Sequence, residues 1–327
     1  MIESLDPQIK IPLLEVINKP APPVDLDAPV KISFSVRILT FFAIVIPFIG
    51  FLASIYLFWG NGISAVDLGL LVGFYIVTAL GITVGYHRLF VHRSFETYGW
   101  VKFLYGVFGS MAIEGPLFQW SAMHRRHHQH SDKPDDPHTP HHSGGGIKGF
   151  IKGFWNAHVG WLFNPDPPQL YRYIKDLRAS RTLRVVSATF PIWALISIVL
   201  PGVIGGLITM SWYGFFTGMI WGGLVRIFLV HHVTWSVNSA CHIWGTRPYK
   251  SDDQSTDNFV FGVLAMGEGW HNAHHAFPTS ARHGLSWWKI DFSWYTISLM
   301  KMLGLAWDIK VPTKEQQQKN LRKTATV

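Results

Sequence analysis

The sequence predicts an all-α integral membrane protein in which four transmembrane helices support a cytosolic helical cap that holds a two-metal site. Three observations lead to this prediction. Hydrophobic residues make up 48% of the 327-residue chain and charged residues only 15%, well below the roughly 25% of soluble domains. Four apolar stretches are each long enough to cross a bilayer. Over half of the 17 histidines lie in short clusters beside these stretches.

The membrane spans are predicted from hydropathy and length. A transmembrane helix needs about 20 mostly apolar residues, and the chain has four such runs, at 36–58, 64–86, 186–208 and 212–232. Short turns without Lys or Arg join the first run to the second and the third to the fourth. The chain is therefore expected to form two helical hairpins across the membrane.

The distribution of positive charge predicts the orientation of these hairpins. The segment between the hairpins and the chain after the fourth run are rich in Lys and Arg. The positive-inside rule then places both termini and the cap, which comprises 87–185 and 233–311, in the cytoplasm. We expect a cytosolic N-terminal segment over 1–35 without a cleavable signal peptide, a membrane domain over 36–311 and a basic tail over 312–327. We expect the membrane to be a bacterial inner membrane.

Two further apolar stretches are ambiguous. Residues 100–120 contain three glycines and a proline, and both flanks belong to the cytosolic side, which favours an interfacial or re-entrant helix. Residues 287–307 combine four Trp with two Lys, a composition typical of a helix in the headgroup region. A fifth span there would place the basic C-terminus outside, so we expect four spans.

Composition also excludes several classes of protein. The net charge of +8 can indicate nucleic-acid binding, but here the basic residues flank the apolar runs and are explained by membrane orientation. Cys241 is the single cysteine, so the chain has neither an internal disulfide nor a CxxC metal or redox motif.

The histidine clusters predict metal ligands. Residues three and four apart on a helix share one face, and the clusters have this spacing or lie at the end of a span. Together they supply nine imidazoles and one amide: His87, His92, His124, His127, His128, Asn238, His242, His271, His274 and His275. A structural zinc needs only four ligands, whereas two metals would use this set. Imidazole suits zinc, copper, iron and nickel alike, so the residues alone leave the metal open.

The motifs that contain these histidines resemble those of the membrane fatty acyl desaturases, in particular the Δ9 acyl type, which includes stearoyl-CoA desaturase and the cyanobacterial acyl-lipid enzymes. The motifs are GYHRLFVHRSFET, HRRHHQHSD, HVTWSVNSACH and GEGWHNAHHAFP, and the resemblance extends from about residue 36 to 311. It implies two iron ions held by the nine histidines, with Asn238 approaching one iron through water. It also implies a bent substrate tunnel shaped in part by Trp120 and Thr234.

The resemblance implies an oxidoreductase that uses O2 to place a cis double bond, at Δ9, in a saturated C16 or C18 chain. The substrate is an acyl-CoA or an acyl-lipid, and the continuation AFPTSARHGL is similar to the cyanobacterial and plant branch, which leaves the carrier open. No flavin, haem or nicotinamide motif is present, so a separate donor such as ferredoxin or cytochrome b5 is expected to supply two electrons to a basic cytosolic surface.

Three alternatives to this interpretation can be compared with it. A di-iron hydroxylase on the same scaffold would share the first hydrogen abstraction. A metal or proton transporter is disfavoured because it would need polar residues near the midplane of the spans, and a zinc protease because no HExxH is present.

Other residues are expected to support the ligands. Carboxylates that accept the second imidazole N–H are predicted at Glu268, Asp132, Asp135 and Asp136. Arg88 and Arg125 are expected to pair with such carboxylates or to meet a substrate headgroup, and His158 either supports a ligand or packs at the interface. Four further histidines, His130, His138, His141 and His142, are predicted to be solvated loop residues.

Overall fold

The computed structural model describes residues 33–164 and 170–322. The predicted N-terminal segment therefore lies almost wholly outside the described residues, as does the end of the basic tail. Four helices are long and apolar enough to cross a membrane. The predicted class, an all-α membrane protein with four spans, is confirmed.

Helices form nearly all of the regular structure. In chain order they are α1 (Phe34–Asn61), α2 (Ala65–Leu80), α3 (Gly99–Ser110), α4 (Leu117–His130), α5 (Gly146–His158), α6 (Lys175–Ala179), α7 (Arg181–Ala188), α8 (Phe190–Thr209), α9 (Trp212–Gly218), α10 (Arg226–Ser239), α11 (Phe259–Leu264), α12 (His271–Ala276), α13 (Phe292–Met302) and α14 (Lys314–Asn320). The strands β1 (Glu96–Thr97) and β2 (Ala306–Trp307) form one antiparallel pair.

The second and fourth spans continue beyond their predicted ends. Helix α2 runs on as a π-helix over Gly81–Val91, and a second π-helix, Met219–Val225, joins α9 to α10. The candidate spans therefore reach Val91 and His242. Hydropathy falls at these ends because the side chains become polar, but the cap buries them and the helices continue into it. π-Turns inside α-helices are frequent at functional sites.

The third span begins later than predicted. Its helix starts at Phe190, with Pro191 in the first turn, where proline is favoured because the missing N–H is not needed. The residues before it form the separate helix α7. Within the bundle, small residues allow close packing of α8 on α9, because a Cβ at Gly205 would lie 2.4 Å from the Gly214 carbonyl oxygen.

The two ambiguous apolar stretches do not add a span among the described residues. The stretch 100–120 divides into α3 and the start of α4, separated by the turn 111–116. Buried Arg226 and His231 of α10 hold this turn by hydrogen bonds to the carbonyl oxygens of Met111, Ala112 and Ile113. The stretch 287–307 contains only the eleven-residue helix α13, which is too short to span.

Candidate metal centre

The nine predicted histidines converge in two groups within the cap. The five-histidine group consists of His87, His92, His124, His128 and His274, and the four-histidine group of His127, His242, His271 and His275. Within each group the candidate ligand nitrogens lie within 4.8 Å of one another.

Each HxxHH motif serves both groups. On α4, His124 and His128 belong to the five-histidine group and His127 to the other. On α12 the assignment is the opposite: the i,i+4 pair His271 and His275 belongs to the four-histidine group, and His274 belongs to the five-histidine group. The two groups are therefore neighbours that share two helices.

Four buried carboxylates orient four of the imidazoles. Each carboxylate accepts a hydrogen bond from the Nδ1–H of its histidine, which turns the Nε2 atom of that ring toward the centre of its group. In the five-histidine group His87 bonds to Glu268 at 2.5 Å. In the four-histidine group the pairs are His127 with Asp136 at 3.0 Å, His242 with Asp132 at 2.8 Å, and His275 with Asp253. Carboxylate partners of this kind fix the tautomer and ring orientation of metal-binding histidines.

The nitrogens that face one another are suited to a cation. A neutral imidazole that donates its Nδ1 hydrogen has only a lone pair at Nε2. The lone pairs of His242 and His275 both face His271 Nε2, at 3.0 and 3.1 Å. The Nε2 atoms of His92 and His127 are buried without a hydrogen-bond partner among the described residues. Converging lone pairs repel one another, and a bound metal ion would accept them.

The electrostatic environment keeps most of these imidazoles neutral, which is the form that binds metal. Burial, and then the neighbouring imidazoles, hold the pKa of His124, His128 and His274 well below the usual range. Burial also lowers the pKa of His275 to about 4, against the opposing hydrogen bond to Asp253.

The carboxylates remain charged despite their burial. Burial alone would raise the pKa of Asp136, but the charge and hydrogen bond of His127 outweigh it and hold the pKa well below its usual range. The pKa of Asp132 is likewise lowered, against its burial, by the hydrogen bond and charge of His242. Each supporting carboxylate therefore stays ionised and accepts the Nδ1 hydrogen of its imidazole, an arrangement that makes the imidazole a better metal ligand.

A second layer of charge supports Glu268. Fully buried Arg88 donates to Glu268 at 3.2 Å and to Asp291 at 2.9 Å. Asp291 also accepts the backbone N–H groups of His283 and Gly284. The His283 ring is buried, with its Nδ1 3.4 Å from Glu268, and it packs against His274 with ring centroids 4.4 Å apart. This network joins the segment after the last histidine cluster to the five-histidine group.

Three other predicted support residues lie elsewhere. Asp135 is 69% exposed and its carboxylate approaches Arg126 at 3.9 Å. Arg125 bonds to Asp176 and to backbone carbonyls, including that of Phe90, and so anchors α4 within the cap. His158 bonds to His232 and Ser239, each at 3.0 Å, outside both groups.

The prediction that His138 is solvated is wrong. Its side chain is 3% exposed and its ring lies 4.3 Å from that of His127. The turn after α4 folds back over the helix because Asp136 accepts both His127 Nδ1–H and the backbone N–H of His138. By contrast, His141 and His142 are exposed and His130 is partly exposed.

A cavity of about 360 Å³ is lined by residues of α1 and by histidines of both groups. Its lining includes Asn238, Trp120 and Thr234 together with ligands from both groups. Trp120 stacks on His124 with centroids 5.0 Å apart, and its Nε1–H donates to Glu114 at 3.0 Å. Burial raises the pKa of the Glu114 carboxyl to about 7, against its hydrogen bonds to Thr234 and Trp120.

Sequence reasoning did not identify four of these residues. Asp253, Asp291 and His283 are distant in sequence from the histidines that they contact, and no helical spacing connects them. Glu114 carried a weak signal, since it is an acidic residue inside an otherwise apolar stretch. A buried carboxyl in such a place usually has a specific hydrogen-bonding role.

The fold and the site define a class: an integral membrane protein with two adjacent all-histidine groups, each able to hold a metal ion, beside an apolar cavity. Residues 62–298 match the family model for fatty acid desaturases. The chain belongs to the fatty acid desaturase family, and its curated relatives include stearoyl-lipid 9-desaturases.

Three relatives illustrate the range of substrates within the family. The chain is 41% identical to a hex-5-enoyl-[acyl-carrier protein] acetylenase from Moorena producens, over 82% of this chain and 84% of the relative. It is 38% identical to an sn-1 stearoyl-lipid 9-desaturase from Anabaena variabilis, over 77% and 86%. It is 37% identical to an acyl-CoA C20 Delta5-desaturase from Anemone leveillei, over 75% and 73%.

Proposed function

We propose that this protein is an O2-dependent acyl desaturase that introduces a cis double bond, at Δ9, into a saturated C16 or C18 chain carried as acyl-lipid or acyl-CoA. The balanced reaction converts –CH2–CH2–, O2, two electrons and two protons into –CH=CH– and two water molecules. The observation that carries the proposal is the pair of all-histidine groups that line one apolar cavity. The stearoyl-lipid 9-desaturase relatives support the Δ9 position.

Two iron ions are the proposed cofactor. Five pairs of Nε2 atoms within the groups lie 2.9 to 3.1 Å apart, close enough for both nitrogens of a pair to bind one ion at about 2.1 Å. Imidazole suits iron, zinc, copper and nickel alike, and the fatty acid desaturase family supports the choice of iron. Bound iron would supply the oxygen chemistry that amino-acid side chains cannot perform on an unactivated methylene.

The chain's own residues position the substrate and exclude water. The apolar cavity is the proposed site of the acyl chain, and the hydrogen-bonded set of Glu114, Trp120 and Thr234 forms one wall beside His124. Because Trp120 is fixed both by stacking on His124 and by its bond to Glu114, this wall is rigid. A rigid wall holds one C–C bond next to the ligands, and such positioning contributes to the rate. Asn238 is proposed to contact one iron through water.

The orientation in the membrane is also part of the proposal. The basic segments favour a cytosolic cap with both termini on the same side, in a bacterial inner membrane. Electrons would come from a separate protein. The transport alternative is not supported, because the metal-binding groups lie in the cap at the helix ends and not at a midplane site.

The test is product analysis. The full-length chain is expressed in a host membrane that lacks unsaturated fatty acids, and the derivatised lipids are analysed by gas chromatography–mass spectrometry. We expect a cis-Δ9 monoene that is abolished by His127→Ala, in the four-histidine group, and by His274→Ala, in the five-histidine group. His130→Ala, on the same helix as His127 but outside both groups, should retain the product. Hydroxylated chains would instead establish the hydroxylase, and no product in an iron-replete membrane would refute the proposed substrate.

A further inference from the structure

Two of the carboxylates that orient the four-histidine group are fixed by one segment of the cap, residues 247–254. Asp253 belongs to this segment and bonds to His275. Asp132 lies outside the segment but accepts one of its backbone N–H groups at 2.7 Å, while it bonds to His242 at 2.8 Å. The orientation of both imidazoles therefore depends on where this segment lies.

A third link joins the same segment to helix α12. Asn272 is fully buried and follows His271 in the chain. Its side-chain oxygen accepts the backbone N–H of Tyr249 at 2.8 Å, and its Nδ2 donates to the Ser251 hydroxyl at 3.1 Å. The segment therefore holds the helix that carries two ligands of the group as well as the carboxylates behind them.

On its outer side the segment pairs with residues 313–322, which include α14. Helix α14 buries none of its residues, but the chain after it pairs with the segment in antiparallel fashion. The Lys250 N–H donates to the Asn320 oxygen at 2.9 Å, and the Asn320 side chain donates back to the Lys250 oxygen at 3.3 Å. The Arg322 N–H donates to the Pro248 oxygen at 2.9 Å, and its Nε–H donates to the next backbone oxygen of the segment at 3.1 Å.

The five-histidine group has a separate support. Its carboxylate, Glu268, bonds to fully buried Arg88, which also bonds to Asp291. Among the described residues, no hydrogen bond joins 313–322 to this network. The pairing of the two segments therefore bears on one histidine group and not on the other.

We propose that residues 313–322 are a positioning element for the four-histidine group, and that their pairing with segment 247–254 sets the affinity of this one group for its metal ion. The inference rests on the proposed function, because it requires the proposed metal centre. Loss of a partner that orients a ligand histidine weakens metal binding, and the pairing keeps Asp253 and Asp132 in place. Because α14 buries no side chain, the pairing can open without loss of core packing, and the group can lose its ion while the cap stays folded.

The test breaks the pairing by one substitution in the full-length protein. Arg322→Pro removes both the N–H that bonds to Pro248 and the guanidinium. The preceding Leu321 has ψ 140°, which is the conformation that a residue before proline favours. The matched control is Lys314→Pro, which also exchanges a cation for proline. It lies at the first position of α14, where proline is tolerated.

Each substitution is combined with a background that removes ligands from one group. His124→Ala with His128→Ala disables the five-histidine group, and His271→Ala with His275→Ala disables the four-histidine group. The affinity of the remaining group for iron is then measured in nanodiscs by competition with a chelator. The two backgrounds separate an effect on one group from a general loss of structure, which would weaken both.

We expect Arg322→Pro to weaken iron binding on the order of tenfold where only the four-histidine group remains, and to leave the affinity unchanged where only the five-histidine group remains. Lys314→Pro should change neither affinity. Equal weakening of both groups, or no weakening of the four-histidine group, would overturn the proposal.

A second measurement does not depend on metal. Amide hydrogen exchange of the metal-free protein is followed by mass spectrometry, and peptides that cover 247–254 should exchange faster in Arg322→Pro but not in Lys314→Pro. Equal exchange in the two variants would also overturn the proposal. If the wild-type protein bound no iron at all, the proposed function would fail instead, and the exchange rates would still decide whether 313–322 holds the segment.

Discussion

The substitution Glu114→Gln should remove a pH dependence of the protein's stability. Glu114 lies in the wall of the cavity, where it bonds to Trp120. The pKa of Glu114 is raised from 4.5 to about 7 by burial. The folded protein therefore holds the proton more tightly than the unfolded chain does. The resulting stabilisation is fully present below about pH 4.5 and is lost as pH rises through about 7. At 1.36 kcal/mol per pKa unit, the full loss is about 3 kcal/mol.

Glutamine retains an acceptor for the Trp120 indole N–H but cannot ionise. The assay is the thermal unfolding midpoint of wild type and variant in nanodiscs between pH 5 and pH 8. We expect the variant to gain stability relative to wild type across this range, and the wild-type yield of monoene to fall near pH 7 while the variant yield does not. The control is Glu315→Gln, which changes a fully exposed carboxyl. Parallel pH curves for wild type and Glu114→Gln would show that the buried carboxyl does not titrate in this range.

Three further predictions concern the metal centre and the cavity. Glu268→Gln and Asp253→Asn each remove the negative charge behind one ligand histidine and should weaken iron binding about 10- to 100-fold, measured by titration with a chelator. The exposed Asp135→Asn is the matched control, and similar affinities in all three variants would refute a supporting role for the buried carboxylates. Ala43→Trp fills the cavity and should abolish conversion of C18 chains without changing iron content, whereas Phe42→Trp, on a neighbouring residue outside the cavity lining, should not. Loss of C18 product in the Phe42 variant would mean that the cavity is not the substrate path.

The sequence predicted the four spans because hydropathy depends on composition alone, but it misplaced the ends of three of them. Hydropathy detects the point where side chains become polar. It does not detect whether the following turns are solvated or buried under a cap. The second span carries His87 on a π-helix that continues to Val91, and the third starts only at Phe190, where a helix break precedes Pro191.

The nine histidines were predictable because their spacing is local, whereas their supporting residues were only partly so. Asp135 and Asp136 are adjacent, yet one is exposed and the other contacts His127 at 3.0 Å. The direction of a turn decides between them, and sequence proximity does not encode it. The contact of Asp253 with His275 depends on how segment 247–254 folds over α12, which is a tertiary property of the chain.

The division of the histidine motifs between the two groups has a mechanical consequence. Adjacent residues on a helix point about 100° apart, so His127 and His128 face different histidine groups from one turn of α4, and His274 and His275 do the same on α12. The separation of the two groups is therefore set by two short stretches of helix and not by flexible loops. Because α4 and α12 each contribute to both groups, neither group can shift without moving the other, and the fold itself fixes their spacing.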